Sequence, residues 1–390
     1  MVGGAEGSRM WGLSVGIAML VVALLSPVLG ALADFSATKK RVLFVFTAIS
    51  CIFTAMLFFV EQGDIFTGML FFILAEIGYR GAQVFYNSLL PDIAEPDQMG
   101  KVSGNGWAIG SFGGIVCLGI VLALILTIKG AFIVRFAFLI TAAFYALATM
   151  PVFLFVRERS KPQPLPKGVN YLSISFKKLA NTFQSARQYK EFIKFLVAFL
   201  IYNNGIMMLL DFAAIIGAVL FGMNQQQLII FVMIVQVTSV IGAYLFGLLA
   251  HRLGGKLALI LSIGLMALTV TGLFFVHSLV MFNVIGALAG FALTGVQSVS
   301  RTVVGQVCPP EKAAEFYGLF SLASQISNFT GPSIYGLLAT ALALRYYEPR
   351  GFTPHAAEAA GMEAALFSIV GFLVAGLAFL LFVKNWQRAK

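Results

Sequence analysis

Apolar runs of twenty or more residues, almost free of charge, recur from one end of this chain to the other. This pattern constrains the fold more than any motif does. A helix rising 1.5 Å per residue needs about 20 mostly apolar residues to cross a hydrocarbon core about 30 Å thick. Eleven such runs fall at 11–33, 41–60, 66–90, 102–127, 131–156, 191–219, 226–250, 255–276, 279–305, 314–343 and 362–384. Only 11% of the 390 residues are charged, and mean hydropathy is +0.93. A soluble domain carries roughly 25%, so this chain cannot cover a water-facing surface. The sequence predicts an all-α, polytopic membrane protein.

The connections are short except at 157–190, which opens on the charged, proline-broken Arg-Glu-Arg-Ser-Lys-Pro-Gln-Pro stretch. The chain thereby divides into an amino-terminal bundle of five spans (1–156), a linker (157–190) and a carboxy-terminal bundle of six (191–390). Within the linker, Leu172, Phe176, Leu179, Phe183 and Ala186 recur at helical spacing, with Lys177, Lys178, Arg187 and Lys190 largely on other faces. The pattern predicts an amphipathic helix on the membrane surface. Lys and Arg set the orientation. Nineteen of the 26 lie on the side of the 157–190 linker and the C-terminus, against four on the other. The positive-inside rule puts that richer side in the cytoplasm. It also accounts for the net charge of +10 without nucleic acid.

Other chemistries lack their residues. Cys51, Cys117 and Cys308 are scattered and odd in number, so they make no disulfide framework or metal spacing. His251, His277 and His355 lie far apart and have no cysteine nearby. No cleavable signal peptide is visible. No Walker sequence appears, and no Ser/His or paired-carboxylate arrangement supports an intramembrane enzyme. No cofactor is expected.

Polar residues inside the spans are therefore the informative ones, because ionisable groups in hydrocarbon are costly and kept mainly where they face protein or water. Glu76 and Arg80 stand four apart in the favourable acid-first order. Gln83 and Asn87 continue their stripe. Asn203 and Asn204 fall near mid-membrane, Asp211 nearer the outer end, and Gln297 and Arg301 on the ninth span. These residues are the candidate substrate-binding set, with Gln236, Gln325 and Asn328 as weaker candidates. Glu76 and Asp211 are the candidate protonatable groups. Gly106, Gly110 and Gly114 recur every four residues, a spacing that predicts close helix packing.

Two stretches of the first half echo in the second. Gly30-Ala-Leu-Ala-Asp34 with Lys39-Lys40-Arg41 matches Gly247-Leu-Leu-Ala-His251-Arg252 with Lys256, 217 residues on. Gly81-Ala-Gln83 with Pro96 and Gly104 matches Gly295-Val-Gln297 with Pro310 and Gly318, 214 residues on. Parallel halves of this kind are a transporter architecture.

The Gly-x-x-x-Asp turn with its basic loop resembles the signature of the major facilitator superfamily. Further stretches resemble the vacuole-effluxer-like family, whose eukaryotic members are linked to amino-acid efflux from vacuoles. They are Ser26-Pro-Val-Leu-Gly-Ala-Leu-Ala-Asp34, Phe85-Tyr-Asn-Ser-Leu-Leu-Pro91, Val102-Ser-Gly-Asn-Gly-Trp107, Tyr202-Asn-Asn-Gly205, Gly295-Val-Gln-Ser-Val-Ser-Arg301, and Ala314-Glu-Phe-Tyr-Gly318 with Gly331-Pro332. The resemblance implies a two-bundle transporter fold and a cytoplasmic gate made by Asp34, Lys39, Lys40, Arg41 and, in the second half, Arg252. The chain departs from the family pattern at four places. It has no opening helix with a Tyr-Asp-Trp-Ala-Asn-like motif, so one amino-terminal helix is expected to be missing. Asn204 stands where an acid is usual, Ser111 where a tyrosine is, and His251 where the first half has Asp34. The expected function is secondary transport of a small polar solute by alternating access, with amino-acid efflux the implied direction and a proton or other ion as coupling partner. The alternative is a non-transporting receptor or scaffold that keeps the fold. The expected setting is the lipid bilayer, as a multi-pass monomer, in the inner membrane if the source is bacterial.

Overall fold

The computed structural model describes residues 5–35, 38–61, 63–93, 99–128, 130–158, 183–184, 186–276, 278–307 and 313–384. These residues form helices and connecting turns and contain no strand. The long helices are α1 (Ala5–Phe35), α2 (Lys39–Met56) and α3 (Ile65–Ser88), then, after the single turn α4 (Leu90–Ile93), α5 (Met99–Thr127) and α6 (Ala131–Phe155). There follow α7 (Lys190–Phe221), α8 (Gln225–Leu253), α9 (Gly255–Gly272), α10 (Leu279–Val307), α11 (Ala313–Leu342) and α12 (Pro354–Leu381). The eleven long helices correspond one to one with the eleven apolar runs. The protein is an all-α, polytopic membrane protein. Large apolar side chains such as Phe66, Phe155 and Phe275 are more than three-quarters exposed, as a lipid-facing surface requires.

Local chemistry sets the ends. Gly222, at φ 61°, closes α7 in the left-handed conformation that side chains resist. Asn224 then starts α8 with a reciprocal cap: its side chain accepts from Gln227 N, and Gln227 Oε1 accepts from Asn224 N. Gly254, at φ 88°, separates α8 from α9 without a loop. Two boundaries differ from the hydropathy reading. The last helix begins at Pro354 rather than 362, capped by Thr353, because alanines carry the helix through a turn that His355 and Glu358 make too polar to register. The segment between the third and fourth apolar runs, 91–101, opens on the α4 turn rather than a loop, and Asp92 within it is buried.

Two compact units result, one of Met1–Val2 with Ile17–Ala180, the other of Gly3–Gly16 with Asn181–Lys390. In the first, α2 packs against α3 and α6. A Cβ at Gly78 would lie 2.6 Å from Ser50 N, and one at Gly81 would run into the Phe46 ring. In lipid, where apolar burial gives helices little reason to associate, such close backbone approach supplies the contact. Leu29, Leu43, Ala82, Phe85 and Leu89 form the buried cluster beside it.

The second unit is built around α7, which buries Tyr202 to Ile206 against α11 and α12. Its α8 and α10 cross so closely that a Cβ at Gly242 would run into the Phe291 carbonyl. The first turns of α1 belong here: Trp11 Nε1 donates to the Asp211 carbonyl at 3.0 Å.

The repeat extends beyond its sequence echoes. Both α2 and α9 have 18 residues and run into a three-residue 3-10 turn, Leu57–Phe59 and Leu273–Phe275, at an offset of 216. Gly295, the counterpart of Gly81, faces Phe246 and Ser262 Oγ in the same manner. The close packing expected along Gly106, Gly110 and Gly114 is not seen at Gly110, which meets nothing within 4 Å among the described residues. The amphipathic helix read in the linker falls outside the described residues, apart from Phe183 and Ala186.

Candidate substrate site and gate

The α3 stripe assembles in the first unit. Arg80 Nε and Glu76 Oε1 pair at 2.8 Å, with side chains 30% and 21% exposed. The helix repeat puts them one turn apart, so the pair needs no tertiary help. The Arg80 guanidinium lies 5.5 Å from the centre of the Tyr79 ring. Gln83 Nε2 donates to the Tyr79 hydroxyl at 2.8 Å, and Tyr79 meets Tyr145 of α6 edge-on. Asn87 is exposed at the helix end. The stripe is therefore an arginine with its carboxylate and a tyrosine–glutamine pair beside it. Tyr79 is the member that the candidate substrate-binding set did not include. Its only signal was its place directly before Arg80.

In the second unit, Asn204 Nδ2 donates to the Leu200 carbonyl at 2.7 Å, and its Oδ1 accepts from Thr330 of α11. Ser327 Oγ also reaches Leu200 O. Asn203, 2% exposed, keeps its Nδ2 without a hydrogen-bond partner among the described residues, as does Oδ1 of Asn328. The structure thus brings Asn204, Ser327 and Thr330 to one α7–α11 seam. Asp211 lies two turns further along α7, half-buried. Gln297 is half-buried on α10. Arg301 is exposed, and its carbonyl accepts from the Tyr317 hydroxyl at 3.0 Å.

The basic residues of the first-half gate separate into different roles. Lys39 Nζ pairs with Asp92 Oδ2 at 3.2 Å, in a site where the carboxylate has no exposure and the lysine side chain 11%. It donates to the Ser88 carbonyl as well. Lys40 Nζ donates to carbonyls at the end of α6. Arg41 and Arg252 are exposed. The side chains of Asp34 and Trp107 lie outside the described residues. Asp92 escaped sequence reading because it stands among prolines and charges that look like a solvated loop. Only the folded chain shows Lys39 above it.

The family model for vacuole effluxer Atg22-like proteins matches residues 10–342. The chain belongs to that family. It is 27% identical to the uncharacterized MFS-type transporter YxiO of Bacillus subtilis, over 98% of this chain and 86% of that protein. It is 23% identical to autophagy-related protein 22 of Coccidioides immitis, over 83% of this chain and 66% of that one. Against autophagy-related protein 22 of Yarrowia lipolytica, the match spans 45% of the fungal protein. Solved structures carry the same fold. A bacterial homolog to the human lysosomal transporter Spinster superposes with a TM-score of 0.66 at 15% identity, over 98% of this chain and 97% of that one. A mutant of the nucleoside transporter NupG superposes with 0.74 at 15% identity, over 98% and 94%. The Atg22-like chain is thus a multi-pass membrane protein of the major facilitator type, among relatives that are transporters.

Proposed function

We propose that this Atg22-like protein is a secondary transporter that moves a small polar solute by alternating access, with amino acids in the efflux direction as the solute class. The observation that carries the reading is the Glu76–Arg80 pair. Glu76 lies about 16 Å along α3, near the middle of a core about 30 Å thick. At that depth a charged side chain keeps exposed surface only where water reaches it, and both members of the pair are a fifth to a third exposed. Arg80 is the residue to take a solute carboxylate, since its planar fork matches two oxygens. Glu76 orients the guanidinium and offers a counter-charge to an ammonium group. Gln83, held by Tyr79, and Asn87 extend the polar path along α3.

In the second unit, taken by itself, Asn203 and Asn204 are proposed as hydrogen-bonding groups for the solute, with Gln297, Asp211 and Arg301 as further candidates. Glu76 and Asp211 are the groups proposed to carry a coupling proton. Asp34, Lys39, Lys40, Arg41 and Arg252 are proposed as the cytoplasmic gate. Counterflow of labelled amino acids in proteoliposomes tests the reading, because a receptor or scaffold cannot exchange solute. Arg80→Lys keeps the charge but loses the fork. It should raise the half-saturation concentration about tenfold or more, with normal folding. Full activity in the charge-swapped double variant, Glu76→Arg with Arg80→Glu, would make the pair structural and remove it from the site.

A further inference from the structure

Two lysines stand at one register of the internal repeat. Lys40 is the second residue of α2, and Lys256, 216 positions later, is the second residue of α9. Lys40 Nζ donates to the Phe153 carbonyl at 2.9 Å and the Val156 carbonyl at 2.6 Å, where α6 ends. Lys256 Nζ donates to the Leu381 carbonyl at 3.2 Å and to the Val383 carbonyl, where α12 ends. One acceptor of each pair corresponds too, while the other lies three residues before Val156 and two before Val383. Val156 and Val383 each sit in a Phe-Val-basic triplet, Phe155-Val156-Arg157 and Phe382-Val383-Lys384.

The last carbonyls of a helix lack intrahelical donors and carry the negative end of its dipole. Neither α6 nor α12 has a basic residue of its own in its last turn. An ammonium brought in from another helix supplies both the charge and the donors. A backbone amide bonded to a carboxylate lies beside each contact: Lys40 N donates to Glu158 Oε1 at 2.8 Å, and Lys384 N to Glu191 Oε2 at 2.7 Å. With the two helices aligned from their first residues, an offset of 216 against the 217 of the Gly30–Asp34 and Gly247–His251 stretches before them, Lys40 alone of Lys39, Lys40 and Arg41 has a basic counterpart, since Gly255 and Leu257 stand at the other two positions. Solvated loop charge or membrane-side bias would not single out one position of three and seat it on the end of the unit's last helix in both halves.

We propose that Lys40 and Lys256 are equivalent positioning residues. Each fastens the end of the last helix of its unit to the start of an earlier one, so that the two move as one body during transport. The consequence for turnover rests on the transport reading above, whereas the consequence for helix-end order does not. The full chain is therefore examined in two ways, as Lys40→Met, Lys256→Met and the two Lys→Arg variants. Hydrogen exchange in detergent should rise about tenfold in 150–158 for Lys40→Met and in 378–384 for Lys256→Met, with arginine restoring protection. In proteoliposomes, counterflow of labelled amino acids should lose maximal rate in each methionine variant while half-saturation stays within about twofold. Unchanged exchange in those segments, or opening of the opposite segment, overturns the assignment. So does opening of the expected segment with the maximal rate per folded protein unchanged, because the lysines are then structural only. A wild-type chain that exchanges no amino acid defeats the transport reading, and the exchange data then decide the clamp alone.

Discussion

At the scale of single residues, the decisive quantity is how each buried polar group is satisfied. Lys39 and Asp92 show one outcome. Taking both charges out of water is expensive, and the pair survives because each holds the other. Asp92→Asn leaves the lysine uncompensated and should cost about 3–5 kcal/mol. Thermal unfolding in detergent should show a large drop for Asp92→Asn and a much smaller one for Lys39→Met with Asp92→Leu. Asn203 shows the other outcome. Its Nδ2 has no partner among the described residues, so Asn203→Leu removes an unmet donor and should raise stability by about 1 kcal/mol. If the same variant also loses solute exchange, the asparagine serves transport at the expense of stability. Neither residue announced its state in the sequence. Asp92 looked solvated and Asn203 looked like any mid-span amide.

At the scale of the helix, the glycines divide by what lies against them. A Cβ at Gly242 meets the Phe291 carbonyl, which is backbone and cannot turn aside. Gly242→Ala should therefore separate α8 from α10 and cost about 1–3 kcal/mol. Gly371 of α12 faces open space, and Gly371→Ala should stabilise by up to about 1 kcal/mol through helix propensity alone. Melting temperatures of the two variants should move in opposite directions. The spacing of small residues could not separate these cases, and it misled at Gly110. Four-residue periodicity marks a face of the helix but does not say whether another helix lies on it. The boundaries behaved differently. Gly222, Asn224 and Gly254 end or start helices through local chemistry that was present in the sequence.

At the scale of the whole molecule, orientation is the testable property. The excess of Lys and Arg on one side predicts that the linker and the C-terminus face the cytoplasm. A cysteine introduced at Lys384 should react with an impermeant maleimide only in inverted vesicles, and one at Arg350 only in intact cells. Reversal of both would overturn the orientation. The native Cys51, Cys117 and Cys308 are replaced by serine first, because Cys308 falls in the polar 306–315 stretch, on the same side as Lys384 by the charge count.

The sequence by itself determined the class of fold, the eleven helices and the internal repeat. These follow from continuous apolar length and from residues a fixed distance apart, both of which are properties of a line. It also determined that Glu76 and Arg80 would meet, because a helix brings residues four apart together wherever it lies. Only the tertiary structure decided the partners of Lys39, Lys40 and Lys256. Those contacts join residues 49 to 127 positions apart. Which carbonyl or carboxylate an ammonium finds depends on where packed helices place their ends. In lipid that placement is set by close backbone contacts such as Gly78 on Ser50, not by the apolar pattern, which is nearly the same on every face.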